Sequence, residues 1–239
     1  MDKLNPFSCL VCDTTELHPF AQVSLGKRQQ HRLKHYFQCP HCHAVLLDPA
    51  EHLTPGQERA HYQTHHNRAD DPGYIRLHQT GVEWIAQHCP PQSIGLDYGC
   101  GPDSAFAAQL EQRGFQIHRY DPVFFPEQPL EARQYDFIGC LETAEHFHQP
   151  KREFSQMSQL LRPGGVLFVQ TPMPPPAAQF HHWHQHRDPT HIVFYSLKTF
   201  AVIAQANQLV PIKQTQNQVL LQKRQEFCGS KLPGSYFAR

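Results

Sequence analysis

The stretch Ile94-Gly-Leu-Asp-Tyr-Gly-Cys-Gly-Pro-Asp103 decides how this chain is read. Its first half is apolar enough for a buried strand. It breaks at Gly99 and Gly101, residues that reach positive φ without penalty and let backbone pass close to a ligand. "SAFAAQLEQRG" follows as a helix closed by Gly114, and "FQIHRYD" as a second strand ending at Asp121. A carboxylate twenty positions after Gly101, at the tip of the next strand, is placed to accept both hydroxyls of a ribose. The pattern is Gly-x-Gly only, with Ser104 where a dinucleotide fingerprint has its third glycine. A tight turn alone explains two glycines. The acid at the right distance is what points to a nucleoside.

Working outward, strands and helices alternate. "YDFIGC" reads as a third strand, residues 151–161 as a helix, "RPGG" as a turn and "VLFVQT" as a strand. Ser196 caps a helix to about residue 206, and "LVPIK" and "NQVLLQKR" supply two final strands. This order predicts a three-layer, doubly wound α/β domain over residues 93–239 with a mostly parallel sheet, binding its ligand at the carboxyl ends of the strands. Only residues 122–135 separate Asp121 from the third strand. That is too few for a helix plus a full strand, so a loop or one short strand is expected.

Upstream, Cys9-x-x-Cys12 and Cys39-x-x-Cys42 stand 26 residues apart within residues 1–49. Two such knuckles predict a zinc ribbon on four thiolates, since a segment this short buries little core of its own. His41 and His43 lie beside the second knuckle. Residues 50–92 read as a linker with a short helix near residues 57–63 and a longer one over residues 74–88.

"IGLDYGCGPDSAF", "YDP" and "LLRPGGVLFVQTP" together resemble the motifs of class I S-adenosylmethionine-dependent methyltransferases, over about residues 93–224. The resemblance implies a seven-stranded sheet whose last strand is antiparallel, and S-adenosylmethionine as cofactor. It implies that Asp97 holds the methionine end, largely through its amino group. Tyr98, Gly99, Cys100 and Gly101 would pass beneath the cofactor, Asp121 and Pro122 would meet the ribose, and Leu141 would border it. The residue facing the adenine amino group has no assignment, although Phe124 or Phe125 could cover the ring or pack in the core.

"CLETAEHF" (140–147) crowds Glu142, Glu145 and His146 at the end of the third strand. If a helix starts there, the three share one face. They read as a solvated first turn, as an acid/base pair with His146 as base, or as part of a metal site. The loop "FHHWHQHRDPTHIVFYSLKTF" brings five histidines and Asp188 to the same end of the sheet. Glu-x-x-Glu-His followed later by "DPTHIVFYS" resembles the metal motif of O-methyltransferases of the ubiquinone pathway and of small-RNA 2′-O-methyltransferases. That resemblance implies a divalent ion (Mg²⁺, Mn²⁺, Fe²⁺ or Zn²⁺) on Glu142, Glu145, His146 and His191, with Glu145, His146 and His191 serving catalysis. Mixed carboxylate and imidazole donors suit such ions and leave room for a substrate oxygen. Trp183, His184 and His186 are assigned to the substrate-facing loop, with Trp183 as a buried anchor the plain alternative and His184 a second candidate base. Tyr62, His65, Asn67 and Tyr74 are the candidates for a lid.

With 21 basic and 21 acidic residues the chain lacks the general positive surface of a phosphate-gripping protein. The expected partner is therefore a small-molecule methyl acceptor. The run "GKRQQHRLKHY" (26–36) keeps open an RNA or protein substrate held by the ribbon, and a non-catalytic cofactor-binding scaffold is the third reading. No apolar run approaches the ~18 residues of a membrane span and no export signal is seen. A reduced cytoplasm is the expected location.

Overall fold

A computed structural model describes residues 7–24, 33–64, 68–130 and 133–225. The N-terminal part forms strands β1 (His18–Ser24), β2 (Leu33–Gln38) and β3 (Val45–Leu47), then helices α1 (Pro55–Tyr62) and α2 (Pro72–His88). The remainder runs β4 (Ile94–Tyr98), α3 (Ala105–Glu111), β5 (Gln116–Tyr120), β6 (Tyr135–Leu141), α4 (Pro150–Leu160), β7 (Leu161–Gln170), α5 (Ala177–Phe180), β8 (Val193–Phe194), α6 (Leu197–Ala206), β9 (Leu209–Gln214) and β10 (Gln218–Lys223). Local chemistry accounts for the helix starts. Thr54 and Ser196 each make a capping box, Asp71 caps α2 through two backbone N–H groups, and Ser104 caps α3.

The central sheet has the order β5-β4-β6-β7-β10-β9. β5, β4, β6 and β7 are parallel, and β10 is antiparallel to both β7 and β9. The antiparallel last strand matches the sequence expectation, but the count does not: among the described residues the sheet has six strands, not seven. The physical reason is the short connection after Asp121, which forms turns (Phe125 N–H to Asp121 C=O, 2.9 Å; Gln128 N–H to Phe125 C=O, 3.0 Å) where a helix and strand would need more chain. β5 is left as an edge.

Alternate side chains of the buried strands feed two cores. Val82, Ile85, Phe106 and Leu110 of α2 and α3 cover one face with Phe137, Phe168 and Leu220. Phe154 and Met157 of α4 and Phe200 and Ile203 of α6 cover the other with Ile138, Leu167, Val169 and Leu221. This second core runs without a break into the N-terminal module and takes in Tyr36, all three residues of β3, and Cys9, Cys39 and Cys42, with Cys12 packed against it.

The module's own sheet has the order β1-β2-β3-β8, so its fourth strand comes from residues 193–194. Val45 pairs with Phe194 and Leu46 with Val193. In "LKHYFQ", period-two alternation turns Lys34 and Tyr36 inward. Lys34, read in sequence as part of a basic run, is 2% exposed. Residues 26–32 of that run lie outside the described residues.

Candidate active site

The turn after β4 is shaped as the glycines require. Gly99 (φ +78°) donates its N–H to the Tyr120 carbonyl at 2.7 Å, and a Cβ on it would sit 2.1 Å from Thr143 Cγ2. Gly101 (φ +64°) donates to Asp121 Oδ2 at 3.0 Å, and a Cβ there would meet nothing within 4 Å. Its open side faces a cavity of about 720 Å³ bordered by Tyr74, Gly101, Asp121, Phe124, Glu142 and His146. That volume is in the range of small-molecule sites (~300–1,000 Å³). Asp121 Oδ1 accepts the N–H groups of Val123 (2.8 Å) and Phe124 (3.0 Å), which fixes the carboxylate at the cavity edge with lone pairs to spare. Asp97 lies one layer behind the turn, 3% exposed, with Ser104 donating its hydroxyl at 2.5 Å. Burial pushes the Asp97 carboxyl up to about 6, partly opposed by that hydrogen bond.

At the end of β6 the chain does not enter an α-helix. Glu142 takes φ +48°, and Ala144–His146 form one 3-10 turn. Glu142, Glu145 and His146 therefore do not share a helical face. Glu142 accepts from Gln170 Nε2 at 3.0 Å, and Gln170 in turn accepts from Gln218 at 2.9 Å. The next turn carries Glu145 and His146 toward the loop before β8. One ligand atom each of Glu145, His146 and His191 lies within 4.8 Å of the others.

Hydrogen bonds set the direction of all three. His146 Nδ1 is 3.1 Å from the Thr190 carbonyl and His191 Nδ1 is 2.9 Å from the Gln185 carbonyl. A carbonyl only accepts, so each Nδ1 carries the proton and each Nε2 of the neutral ring keeps its lone pair. Thr171 donates to Glu145 Oε2 at 2.8 Å, leaving Oε1 4.0 Å from His191 Nε2. Burial pushes the Glu145 carboxyl well above its usual range, with the Glu142 charge adding to it; Glu142 is raised by burial too. Asp188 has an oxygen 4.0 Å from His191 Nε2. It is held well below the usual carboxylate range although burial pushes it up, because His191, Thr190 and His146 favour its charge.

The second donor set is all sulfur. Cys9 and Cys42 Sγ are 3.5 Å apart, as are Cys12 and Cys39, and all four lie within 4.8 Å of one another. A tetrahedron with metal–sulfur bonds of about 2.3 Å has edges of about 3.8 Å, so the set fits zinc. The two knuckles repeat each other: Asp13 (φ +62°) donates to the Cys9 carbonyl and His43 (φ +63°) to that of Cys39, both at 2.9 Å. The Cys42 hydrogen bond pushes Cys9 down to about 6, against burial, and the same contact and burial hold the Cys42 thiol up. Every cysteine among the described residues is free; Cys228 lies outside them.

A family model described as a methyltransferase domain matches residues 65–214, more than half of the chain. The chain belongs to that family. Among curated proteins it is similar to the ubiquinone biosynthesis O-methyltransferases of Citrobacter koseri and Escherichia fergusonii, 30% identical over 77 residues in each case. The matched segment spans 32% of this chain and 32% of each relative. Among solved structures, the N-methyltransferase NodS from Bradyrhizobium japonicum, in complex with S-adenosyl-L-homocysteine, shares 16% identity over 72% of this chain and 98% of that one, at a TM-score of 0.44.

The methyltransferase places most of the residues singled out in sequence around one opening. Tyr98, Gly99, Cys100, Gly101, Asp121, Pro122 and Leu141 border the cavity, whereas Asp97 sits behind the turn. His146 borders it as well, with Glu145 and His191 in the layer behind. Glu142 lies on the wall but outside the cluster of Glu145, His146 and His191, because the left-handed turn at its own Cα separates the two carboxylates.

The loop histidines divide differently from the expectation. His186 is 3% exposed and lies 5.7 Å from Phe180 ring to ring, Trp183 packs on Phe194 at 4.8 Å, and neither borders the cavity. His184 is exposed and off the cavity. Of the lid candidates, Tyr62 and Tyr74 border the cavity, with Tyr62 edge-on to His146 at 5.5 Å and bonded to Thr190; His65 and Asn67 lie outside the described residues. Phe124 is on the wall and Phe125 is not. Sequence reading missed Gln170 and Thr171, the polar pair that ends an otherwise apolar strand, and that contrast was the available signal.

Proposed function

We propose that this methyltransferase methylates an oxygen of a small molecule with the help of a divalent ion held by Glu145, His146 and His191. The observation that carries this is the tautomer assignment. Both imidazoles spend Nδ1 on backbone carbonyls, as metal-ligating histidines do with their second ring nitrogen, and His191 Nε2 stands 4.0 Å from the Glu145 carboxylate with a ligand atom of His146 in the same cluster. Two buried carboxylates with raised proton affinity, Glu142 and Glu145, stand at this site, and a bound cation would favour their charged form.

The chain's residues divide the work by position. Asp121, fixed by three backbone N–H groups, would hold the ribose hydroxyls, and Gly99 to Gly101 would let the cofactor lie against backbone. Asp97 would complement the amino end from beneath. S-adenosylmethionine supplies an electrophilic methyl group, and a divalent ion supplies the Lewis acidity that lowers the pKa of an acceptor hydroxyl. Glu142, held by Gln170 on the cavity wall, is placed to take up the hydroxyl proton. Cys9, Cys12, Cys39 and Cys42 would carry a structural zinc. The balanced net charge and the inward turn of Lys34 favour a small acceptor over a macromolecule gripped by the N-terminal module, and the curated relatives are named as O-methyltransferases.

Metal analysis of purified protein tests the site. The wild type takes up one ion on the thiolates and a second that Glu145→Ala/His191→Ala loses and Glu142→Ala keeps, while all three proteins still bind S-adenosylhomocysteine. Equal metal content in the wild type and the double variant would remove the second site.

A further inference from the structure

The segment that brings His191 and Asp188 to the site is anchored more by the N-terminal module than by the methyltransferase sheet. Val193 and Phe194 are the module's fourth strand, and the Leu47 N–H donates to the Ile192 carbonyl at 2.9 Å. Phe180 and Phe194, which bracket the segment, pack on Tyr36 of β2 at 4.8 and 6.0 Å. Thr199, in the first turn of α6, donates to the Cys42 carbonyl at 2.9 Å. From the other side the segment is held by Ile192 N–H to the Glu145 carbonyl (2.9 Å) and Tyr195 hydroxyl to the Ala144 carbonyl (2.8 Å). It is clamped between the four-cysteine module and the turn that carries Glu145 and His146.

The sharpest contact is Lys34. Its ammonium donates to the carbonyls of His186 and Asp188, both at 3.2 Å. A buried ammonium without such acceptors costs several kcal/mol, so these two carbonyls are held where Lys34 needs them. They belong to the turn that the Gln185 carbonyl–His191 Nδ1 bond closes, which also carries the Asp188 carboxylate. Lys34 lies in β2, which leads directly into Cys39, and the knuckle Cys39–Cys42 is the turn that joins β2 to β3.

We infer that the four-cysteine module is the positioning frame of the metal site, with Lys34 the residue that sets the loop of Asp188 and His191. This rests on the reading that Glu145, His146 and His191 hold an ion. It gives the module a task inside its own chain. Lys34 touches no reacting atom; it acts through His191.

The test uses full-length protein with zinc on the cysteines. Lys34→Met removes the donors and keeps the stem. Mn²⁺ affinity at the second site is expected to fall about 10- to 100-fold, the usual effect of losing an outer-layer partner of a ligand. S-adenosylhomocysteine affinity and the thiolate-bound zinc are expected to stay unchanged. A readout independent of the second ion is Trp183, which packs on Phe180 and Phe194. In a Trp84→Phe background its acrylamide quenching rises in Lys34→Met. Should the wild type take up no second ion, the metal reading fails while Trp183 still decides whether Lys34 holds the loop. Lys34→Gln, milder because its amide keeps two N–H donors, is expected to show the same changes at smaller size and decides the matter if the Met variant does not fold. Wild-type Mn²⁺ affinity and quenching in both variants, or loss of S-adenosylhomocysteine binding in both, would overturn the inference.

Discussion

Replacing Asp97 with asparagine separates what this carboxylate does for the ligand from what it does to the fold. Buried behind the glycine turn, it titrates at about 6, against about 3.9 in an unfolded chain. Between those values the folded chain binds a proton that the unfolded chain has released. Asp97 therefore favours folding fully below about pH 3.9, and that contribution is lost as pH rises through 6. Two pKa units correspond to about 2.7 kcal/mol over the whole range, and the part that falls between pH 5 and 7 is about 1.3 kcal/mol.

Asparagine can still accept the Ser104 hydroxyl and does not ionise. In urea melts without ligand, the stability of Asp97→Asn relative to wild type should rise by about 1.3 kcal/mol from pH 5 to pH 7. Ligand should work the other way. At 100 times its Kd, S-adenosylhomocysteine stabilises the wild type by about 2.7 kcal/mol, and a variant with hundredfold weaker binding by only about 0.4. A difference between the two proteins that does not change with pH would refute the buried-carboxylate reasoning. Unchanged ligand affinity would refute the assignment of Asp97 to the amino end.

Gly99→Ala and Gly101→Ala should behave differently although both glycines have positive φ. Each pays about 1–2 kcal/mol for a left-handed alanine, but only alanine at 99 also strikes Thr143, so it should melt lower while alanine at 101 folds and fails calorimetric cofactor binding. Glu142→Gly should raise stability by about 1 kcal/mol by relieving the φ +48° strain, and should lower turnover; a turnover equal to wild type would show that the strained carboxylate has no part in the reaction. Stripping the ion from Cys9, Cys12, Cys39 and Cys42 should broaden and lower the thermal transition of the whole chain, since the module shares the core with α4 and α6; a shift confined to a separate early transition would show the module is an independent unit.

What could be read from the sequence was local. The glycine turn, the acid twenty positions on and the cysteine spacing each lie within a short stretch, so their geometry follows from chain connectivity. The missing strand was foreshadowed in the same way by the short gap after Asp121. What could not be read depended on partners distant in sequence. Lys34 looked like surface charge because nothing nearby says that carbonyls 152 and 154 residues away would meet it. Glu142 looked like a ligand because Glu-x-x-Glu-His resembles a metal motif, and nothing in that spacing says that the backbone turns left-handed at Glu142. His186 and Trp183 looked like substrate contacts because the aromatic cluster they pack in, around Phe180, also takes Phe20 and Tyr36 from far upstream.

The pairing of β3 with β8 also has a consequence in time. A ribosome releases the two knuckles early, so the four cysteines can meet the proposed zinc while the rest of the chain is still being made. The outer edge of Val45–Leu47, wholly buried in the finished protein, then waits for Val193 and Phe194. At about 5–20 residues per second that wait is about 7–30 s. Throughout it an apolar strand edge stands open to any other nascent chain. The arrangement that ties the module to the active site also keeps the module's sheet open until most of the chain has been made.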